Sequence, residues 1–383
     1  MSETKPPPTY AMIGGGTGAF IGEVHRRAIA IDQSATLVAG ALSSTSERCK
    51  ESARALGLGD DRAYTSAQKL FEREAARDDR VDFVVIVTPN DQHYPIAKAA
   101  LEHGFHVVLD KPATHTSAQA QELASIAKQQ NLLCAVTYNY TGYPMVRQAR
   151  AMIADGQLGP IRKVFIEYHQ GWLASDLEST GHKQASWRLD PKRAGLGGAL
   201  GDIGTHAENL GAFVTGLAIE SVYAQLNSFV DGRALDDDAS AFIRYTNGAH
   251  GVLTASQVCI GRGNGLTLRV HGEKGSLSWN QEQPDELAVS MLDENSTTYT
   301  RGGPGLSEDA TLSTRIPQGH PEGYLEAFAN LYRGIADAIR ARKDNTPPSR
   351  LAELVPTIED GERGVRFVEM CVQSDAQSTA VKP

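Results

Sequence analysis

The sequence predicts two α/β domains in succession. Residues 1–140 read as a doubly wound domain on a parallel sheet, and residues 141–383 as an α+β domain with a large, mainly antiparallel open sheet. Three observations predict it. The first third alternates short, nearly charge-free runs of Val, Ile and Leu with longer amphipathic segments, as strands covered on both faces by helices require. From Val222 to Trp279 the texture changes to strand-like segments separated by turns, with Asn247-Gly248 between Ala239–Tyr245 and Gly251–Ser256 as a hairpin signal. A chain of 383 residues also exceeds the size at which one hydrophobic core keeps growing.

The elements follow in order. Strands are expected at Tyr10–Ile13, Leu37–Leu42, Phe83–Thr88, His106–Leu109 and Leu132–Thr137. Between them, Asp91–His103 and Ser117–Gln130 are amphipathic and open with residues that cap helices well. After Tyr140, a helix over Tyr143–Asp155 leads through Gly159-Pro160 to a strand at Ile161–His169, and a Gly-rich stretch opens a helix near Asp202. The stretch Asp285–Thr311 is polar and contains glycine, so it is expected to be a surface excursion. Pro321–Arg342 is a long helix, and the helix at Pro356–Ser374 suits packing on either domain.

The composition, 41% hydrophobic and 22% charged, is that of an ordinary globular protein, and the formal net charge of -9 argues against a nucleic-acid or membrane partner. Cys49, Cys134, Cys259 and Cys371 are scattered without a C-x-x-C pair, which favours reduced thiols over a disulfide framework or zinc site. Met1–Thr9 is polar, and no run has the apolar length of a signal sequence or a membrane span. The expected location is the cytoplasm.

The first strand runs into Gly14-Gly15-Gly16-Thr17-Gly18-Ala19-Phe20-Ile21-Gly22. Gly14, Gly16 and Ala19 fit G-x-G-x-x-[GA], and a second register takes Gly22 as the last glycine. A glycine turn between a strand and a helix lets the backbone approach a pyrophosphate at the positive helix end, the mark of a Rossmann domain. Leu42 stands where an acid usually binds the adenosine ribose. Ser43, Ser44 and Arg48 are left to serve either cofactor, Arg48 being as readily a solvated helix residue. NAD is expected, with NADP possible.

Thr88-Pro89-Asn90 with His93, and Leu109-Asp110-Lys111-Pro112, lie at C-terminal strand ends, where ligands bind in an open α/β sheet. Tyr138, Asn139 and Tyr140 end the last strand and are expected to line the cleft. Asp202 and His206 are four apart and share one helix face. A carboxylate and an imidazole so placed suit proton transfer to or from an alcohol. In isolation the pair suits structural hydrogen bonds better. A third ligand is not suggested nearby, so no metal is expected. Trp172, Arg188 and His320 are further candidates for substrate contact; each equally suits packing or surface.

Several of these segments are more specific together. Val108-Leu109-Asp110-Lys111-Pro112, Gly159-Pro160-Ile161, Trp187-Arg188, Gly197-Gly198-Ala199-Leu200-Gly201-Asp202-Ile203-Gly204-Thr205-His206 and His271-Gly272-Glu273-Lys274-Gly275-Ser276-Leu277 resemble signatures of the glucose–fructose oxidoreductase/inositol dehydrogenase (Gfo/Idh/MocA) family, in order along nearly the whole chain. The resemblance implies a homodimer or homotetramer that moves hydride between NAD(P) and a hydroxyl-bearing carbon of a sugar or cyclitol. Lys111 matches the lysine of the family's E-K-P motif, with Asp110 in place of Glu, and Asp202 and His206 match its D-x-x-x-H pair. His206 is then expected to take the hydroxyl proton, Lys111 to bond the developing oxyanion, and Asp202 to orient substrate or histidine. Two alternatives are an NAD-dependent glycosidase using transient oxidation and a non-catalytic sensor. Sensor-like members lose the lysine or histidine, so Lys111, Asp202 and His206 disfavour the second.

Overall fold

The protein is described by a computed structural model of residues 6–383, apart from the side chain of Lys183; the start of the polar Met1–Thr9 stretch lies outside the described residues. The chain forms two compact units.

The first unit contains β1 (Thr9–Gly14), α1 (Phe20–Ile31), β2 (Thr36–Ala41), α2 (Ser46–Ala55), α3 (Ala67–Ala75), β3 (Phe83–Val87), α4 (His93–Glu102), β4 (His106–Leu109), most of α5 (Ser117–Gln129) and β5 (Cys134–Val136). The strands form one parallel sheet in the order β2-β1-β3-β4-β5. β3, Phe-Val-Val-Ile-Val, is buried along its whole length, so it occupies the centre of the sheet. One face packs Ile13, Val84, Ile86 and Leu109 against Leu70, Phe71, Leu101 and Leu123. The expected Asp91 cap is replaced by a short 3-10 turn at Asn90–Gln92, and α4 starts after it.

The second unit contains α6 (Pro144–Ala154), β6 (Ile161–His169), α7 (Lys183–Arg188), α8 (Pro191–Ala194), α9 (Thr205–Thr215), β7 (Ile219–Asn227), β8 (Asp238–Tyr245), β9 (His250–Ser256), β10 (Gly265–Gly272), β11 (Gly275–Asn280), β12 (Glu286–Met291), β13 (Thr297–Thr300) and α10 (Glu308–Leu312). The eight strands run β13-β12-β11-β10-β6-β9-β8-β7. Neighbours are antiparallel except β6 and β9, which are parallel with His169 opposite Ser256. Helices α6 and α9 lie on one face of this sheet, and the other carries exposed Tyr223 and Phe242. No helix among the described residues is long and apolar enough to cross a membrane.

Two expectations need correction. The division at residue 140/141 is incomplete, because α11 (Tyr324–Asp344) and α12 (Arg350–Glu353) return to the first unit, and α13 (Ile358–Gln377) joins the second from Glu362 onward. The cause is an apolar face on the parallel sheet. Tyr10, Met12, Phe83, Val85 and Val108 point to it, and α11 covers them with Phe328, Leu331, Tyr332, Ile335 and Ile339. The polar stretch Asp285–Thr311 is not merely a surface excursion but supplies β12 and β13. Leu287 and Val289 alternate with exposed neighbours and are buried. Arg301, also buried, anchors the end of this hairpin through Asp285 Oδ1 and Glu322 Oε1, both at 2.8 Å.

Candidate active site

In the first unit the loop after β1 is shaped by contacts that exclude side chains. Gly14 has φ +79°, and a Cβ there would sit 2.9 Å from Val87 O on β3. A Cβ on Gly16 would lie 2.6 Å from Leu42 O, the same carbonyl that accepts the Gly16 N–H at 3.1 Å. The Thr17 N–H is held by Ser52 Oγ at 3.0 Å. On α1, a Cβ at Gly22 would come within 2.4 Å of Gly15 Cα. The close helix–strand approach required of the motif's last glycine therefore falls on Gly22. Ala19 precedes α1 with its N–H on Gly16 O at 3.0 Å, and Phe20 and Ile21 start the helix. The bare backbone ahead of a helix N-terminus is a cradle that fits a pyrophosphate.

Beyond β3 and β4 lie the strand-end residues. Thr88 and Pro89 are half-buried and Asn90 is buried. Asp110 Oδ1 accepts the Lys111 N–H at 2.9 Å and Thr137 Oγ1 at 3.0 Å. This fixes the start of the turn that carries Lys111, itself half-buried ahead of a cis bond to Pro112. Behind it, His25 Nδ1 meets Tyr332 Oη at 2.5 Å in the core. Burial pushes the His25 imidazole down to about 4, against the opposing pull of the Asp110 carboxylate.

In the second unit the pair Asp202/His206 sits where the helix begins irregularly. Leu200–Gly204 forms a π turn, closed by the Thr205 N–H on Leu200 O, and runs straight into α9. Asp236 holds the entry to this turn: its Oδ1 accepts the Gly198 N–H at 2.6 Å and its Oδ2 the Leu200 N–H at 2.7 Å. Burial raises the Asp236 carboxyl to about 6, against the two N–H bonds that lower it. Asp202 Oδ2 accepts from Arg188 Nε at 3.2 Å and from Gln257 Nε2 at 2.9 Å. The Arg188 guanidinium in turn lies over the Trp187 ring, 4.3 Å from its centre.

His206 is 7% exposed and stands edge-on to Tyr140, with ring centres 4.8 Å apart, and 6.3 Å from Tyr168. The two tyrosines and Asn264 close a ring of hydrogen bonds. Tyr168 Oη donates to Asn264 Oδ1 at 2.8 Å, Asn264 Nδ2 donates to Tyr140 Oη at 3.1 Å, and Tyr140 Oη, 2.5 Å from Tyr168 Oη, completes the ring. Each hydroxyl has one proton, so these contacts fix one direction around the ring: Tyr140 donates to Tyr168. Burial raises the Tyr140 phenol above its ordinary value, which keeps it a neutral donor. A carboxylate, an imidazole and a neutral phenol wall together can bind a hydroxyl group and move its proton.

Residues 9–138 match the profile of an oxidoreductase family with an NAD-binding Rossmann fold, and residues 146–278 match that of the GFO/IDH/MocA C-terminal domain. The chain belongs to the Gfo/Idh/MocA oxidoreductase family. Within it, the chain is 37% identical to the uncharacterized oxidoreductase YfiI of Bacillus subtilis, over 97% of this chain and 96% of that protein. It is 30% identical to the levoglucosan dehydrogenase of Pseudarthrobacter phenanthrenivorans, over 81% and 82%. A crystal structure of an inositol dehydrogenase homologue from Azotobacter vinelandii with NADH and myo-inositol superposes with a TM-score of 0.91 and 38% identity, over 98% of each chain. The first unit of this Gfo/Idh/MocA oxidoreductase is thus its NAD-binding domain.

For this family member, the individual site expectations divide. Ser43 is half-exposed, and Ser44 and Arg48 are exposed just past β2. Leu42 is different: it is 2% exposed and packs in the core, so the position first open to an adenosine ribose is Ser43. His93 lies deeper than Thr88, Pro89 and Asn90. It is 1% exposed, with Nδ1 2.8 Å from Pro112 O and Nε2 2.9 Å from Thr88 O, so its ring sits between the two strand-end loops. Tyr138 packs in the first unit's core and Asn139 is buried beside it in the chain, whereas Tyr140 stands against His206. Arg188 is engaged with Asp202, and Trp172 Nε1 donates to Gln170 Oε1 at 2.9 Å. His320 sits on an exposed turn whose backbone carbonyl accepts from Arg301. Among the described residues, no group of three or more His, Cys, Asp or Glu could hold a metal ion.

Sequence reasoning missed Tyr168, Gln170, Gln257, Asn264 and Asp236. The first four had a signal. Period-2 alternation continued past the ends of β6 and β9, and before β10, places Tyr168, Gln170, Gln257 and Asn264 on the helix-covered face with Ile166, Ala255 and Leu266. Polar side chains on an otherwise apolar face, three amides and a phenol, are the anomaly that marks them. Asp236 is one of three consecutive aspartates, and nothing local distinguishes it.

Proposed function

We propose that this enzyme oxidises a secondary hydroxyl of a cyclic polyol or sugar, inositol- or hexose-like, by hydride transfer to nicotinamide. The observation that carries this reading is the Asp202/His206 pair, with the carboxylate oriented by Arg188 and Gln257 and the imidazole walled by Tyr140. Relatives named for levoglucosan and inositol chemistry support the substrate class. NAD, lodged on the glycine cradle, would supply the hydride acceptor. His206 takes the hydroxyl proton, Asp202 orients the hydroxyl or the imidazole, and Lys111 donates a hydrogen bond to the oxygen as negative charge develops on it. NAD is preferred and NADP also binds, because Ser43, Ser44 and Arg48 past β2 present no carboxylate to repel a 2′-phosphate.

The same proposal places the enzyme in the cytoplasm as a homodimer or homotetramer. Its four unpaired thiols suit a reducing compartment. On the uncovered sheet face, Tyr223, Phe242, Val252 and Phe165 lie side by side across β7, β8, β9 and β6, a cross-strand apolar row of the kind that buries against another copy. The test is absorbance at 340 nm with NAD or NADP over inositols, aldoses and anhydrosugars, with light scattering for the assembly. Net NADH formation on one of these compounds supports the reading. Bond cleavage of a glycoside without net NADH would replace it with the glycosidase alternative.

A further inference from the structure

β6 and β9 are the parallel pair of the second unit's sheet, and their register puts Gln170 beside Gln257 one residue beyond the last paired residues, His169 and Ser256. The backbone continues the match: Gln170 N–H bonds Ser256 O at 2.8 Å, and Leu173 N–H bonds Gln257 O at 3.1 Å. Both amides therefore leave the sheet at the same end and on the same face. Gln257 is 1% exposed. Its amide nitrogen donates to Asp202 Oδ2 at 2.9 Å and approaches Gln170 Oε1 at 3.4 Å. Gln170 Nε2 passes the chain on to Asn264 Oδ1 at 2.8 Å, the acceptor that Tyr168 also uses.

The orientation of Gln257 carries chemical information. An amide nitrogen is only a donor, so the oxygen it faces must accept. Asp202 Oδ2 receives this N–H together with Arg188 Nε, an arrangement that suits a carboxylate and opposes a protonated acid on that oxygen. Flipping the amide would set its oxygen against the carboxylate. Charged and titratable groups near Asp202 include Arg188 from α7 and the neutral Tyr140 phenol beside His206, with His206 itself one turn further along the chain.

We propose that Gln257 is a positioning residue of the active site: it holds Asp202 as an oriented, ionised carboxylate and links it, through Gln170 and Asn264, to the tyrosine pair that edges His206. The inference deepens the proposed oxidation chemistry and rests on it for what the carboxylate does, but not for the charge and orientation of Asp202. His206 is then the group of the pair that carries the proton, and Asp202 remains an acceptor throughout.

Gln257→Glu tests this with almost no change of shape. Two carboxylates then face each other, so one must keep a proton, and stability is lost as pH rises through its raised value. In full-length protein without substrate, the melting temperature of Gln257→Glu is expected to fall increasingly below wild type from pH 5 to pH 9. Asp202→Asn combined with Gln257→Glu restores an amide facing a carboxylate and should recover most of that loss. In NAD-linked oxidation of myo-inositol or levoglucosan, Gln257→Glu should lose about 10- to 100-fold in kcat/KM at alkaline pH and less at acid pH. The double variant should stay inactive, because its carboxylate hangs from the end of β9 instead of from the Leu200–Gly204 turn. A pH-independent melting difference with simply additive variants would overturn the proposal, as would a wild-type pH profile in Gln257→Glu. If wild type oxidises neither compound, the choice of these substrates has failed, while the melting series still decides the role of Gln257.

Discussion

His206 is held by its surroundings as much as by its own helix: Tyr140 packs edge-on against the ring, and that phenol is fixed by Asn264 and Tyr168. A base so positioned contributes through geometry and protonation together. His206→Ala should therefore lower kcat by about 100-fold or more near neutral pH, with NAD affinity by fluorescence titration unchanged. Near-normal turnover would remove His206 from the mechanism. Lys111 makes a different demand. Its backbone is set by Asp110, and a compact ammonium at that point can meet a single oxygen. Lys111→Ala should lose activity to a similar extent, and Lys111→Arg should restore little, since a planar guanidinium spreads its donors in a fork. Full activity in the arginine variant would mean that a fixed positive charge is all the site needs there.

At the scale of elements, the π turn before α9 owes its placement to Asp236, whose two carboxylate oxygens grip backbone N–H groups on both sides of Ala199. Gly198 is pressed against that aspartate: a Cβ would fall 2.1 Å from Asp236 O. Gly198→Ala should push the turn away, lowering stability by about 1–3 kcal/mol and reducing kcat more than a surface alanine substitution of equal stability effect. Equal losses for the two variants would show that the turn's exact position is unimportant. This region also shows what a sequence can and cannot display. The parallel strands were legible because Val, Ile and Leu runs admit few alternatives, and Asp202 and His206 because their spacing matches a helical face. The fine structure was not. Gly22, not Ala19, takes the close contact because an inserted turn of loop shifts where α1 meets β1. β12 and β13 hid in a polar stretch because an edge hairpin buries only alternate residues, here Leu287 and Val289. Strand alternation could mark Gln257 as out of place, but not its role, which depends on a partner 55 residues earlier in the chain.

For the whole molecule, acid is a specific stress. Burial pushes both His25 and His106 down to about 4, below the value of about 6.5 for a free imidazole in the unfolded chain. Between those values the unfolded chain takes up protons that the folded first unit refuses, so stability falls as pH drops from about 6.5 to about 4 and then levels. Calorimetry should show a falling melting temperature across that window, with a shallower slope in His106→Gln; an identical slope in the variant would exonerate His106. A second consequence concerns the order in which the chain is made. The apolar sheet face of Tyr10, Met12, Phe83 and Val85 waits for α11, which follows the 184 residues from Tyr140 to Gly323. At roughly 5–20 residues per second, a ribosome needs on the order of 10–40 s to supply that cover. A nascent chain halted after Gly142 should therefore bind chaperones or precipitate, whereas the same fragment fused through a flexible linker to residues 321–361 should stay soluble. Equal solubility of the two would show that the cover is dispensable. For this protein, the domain translated first is among the last to be finished.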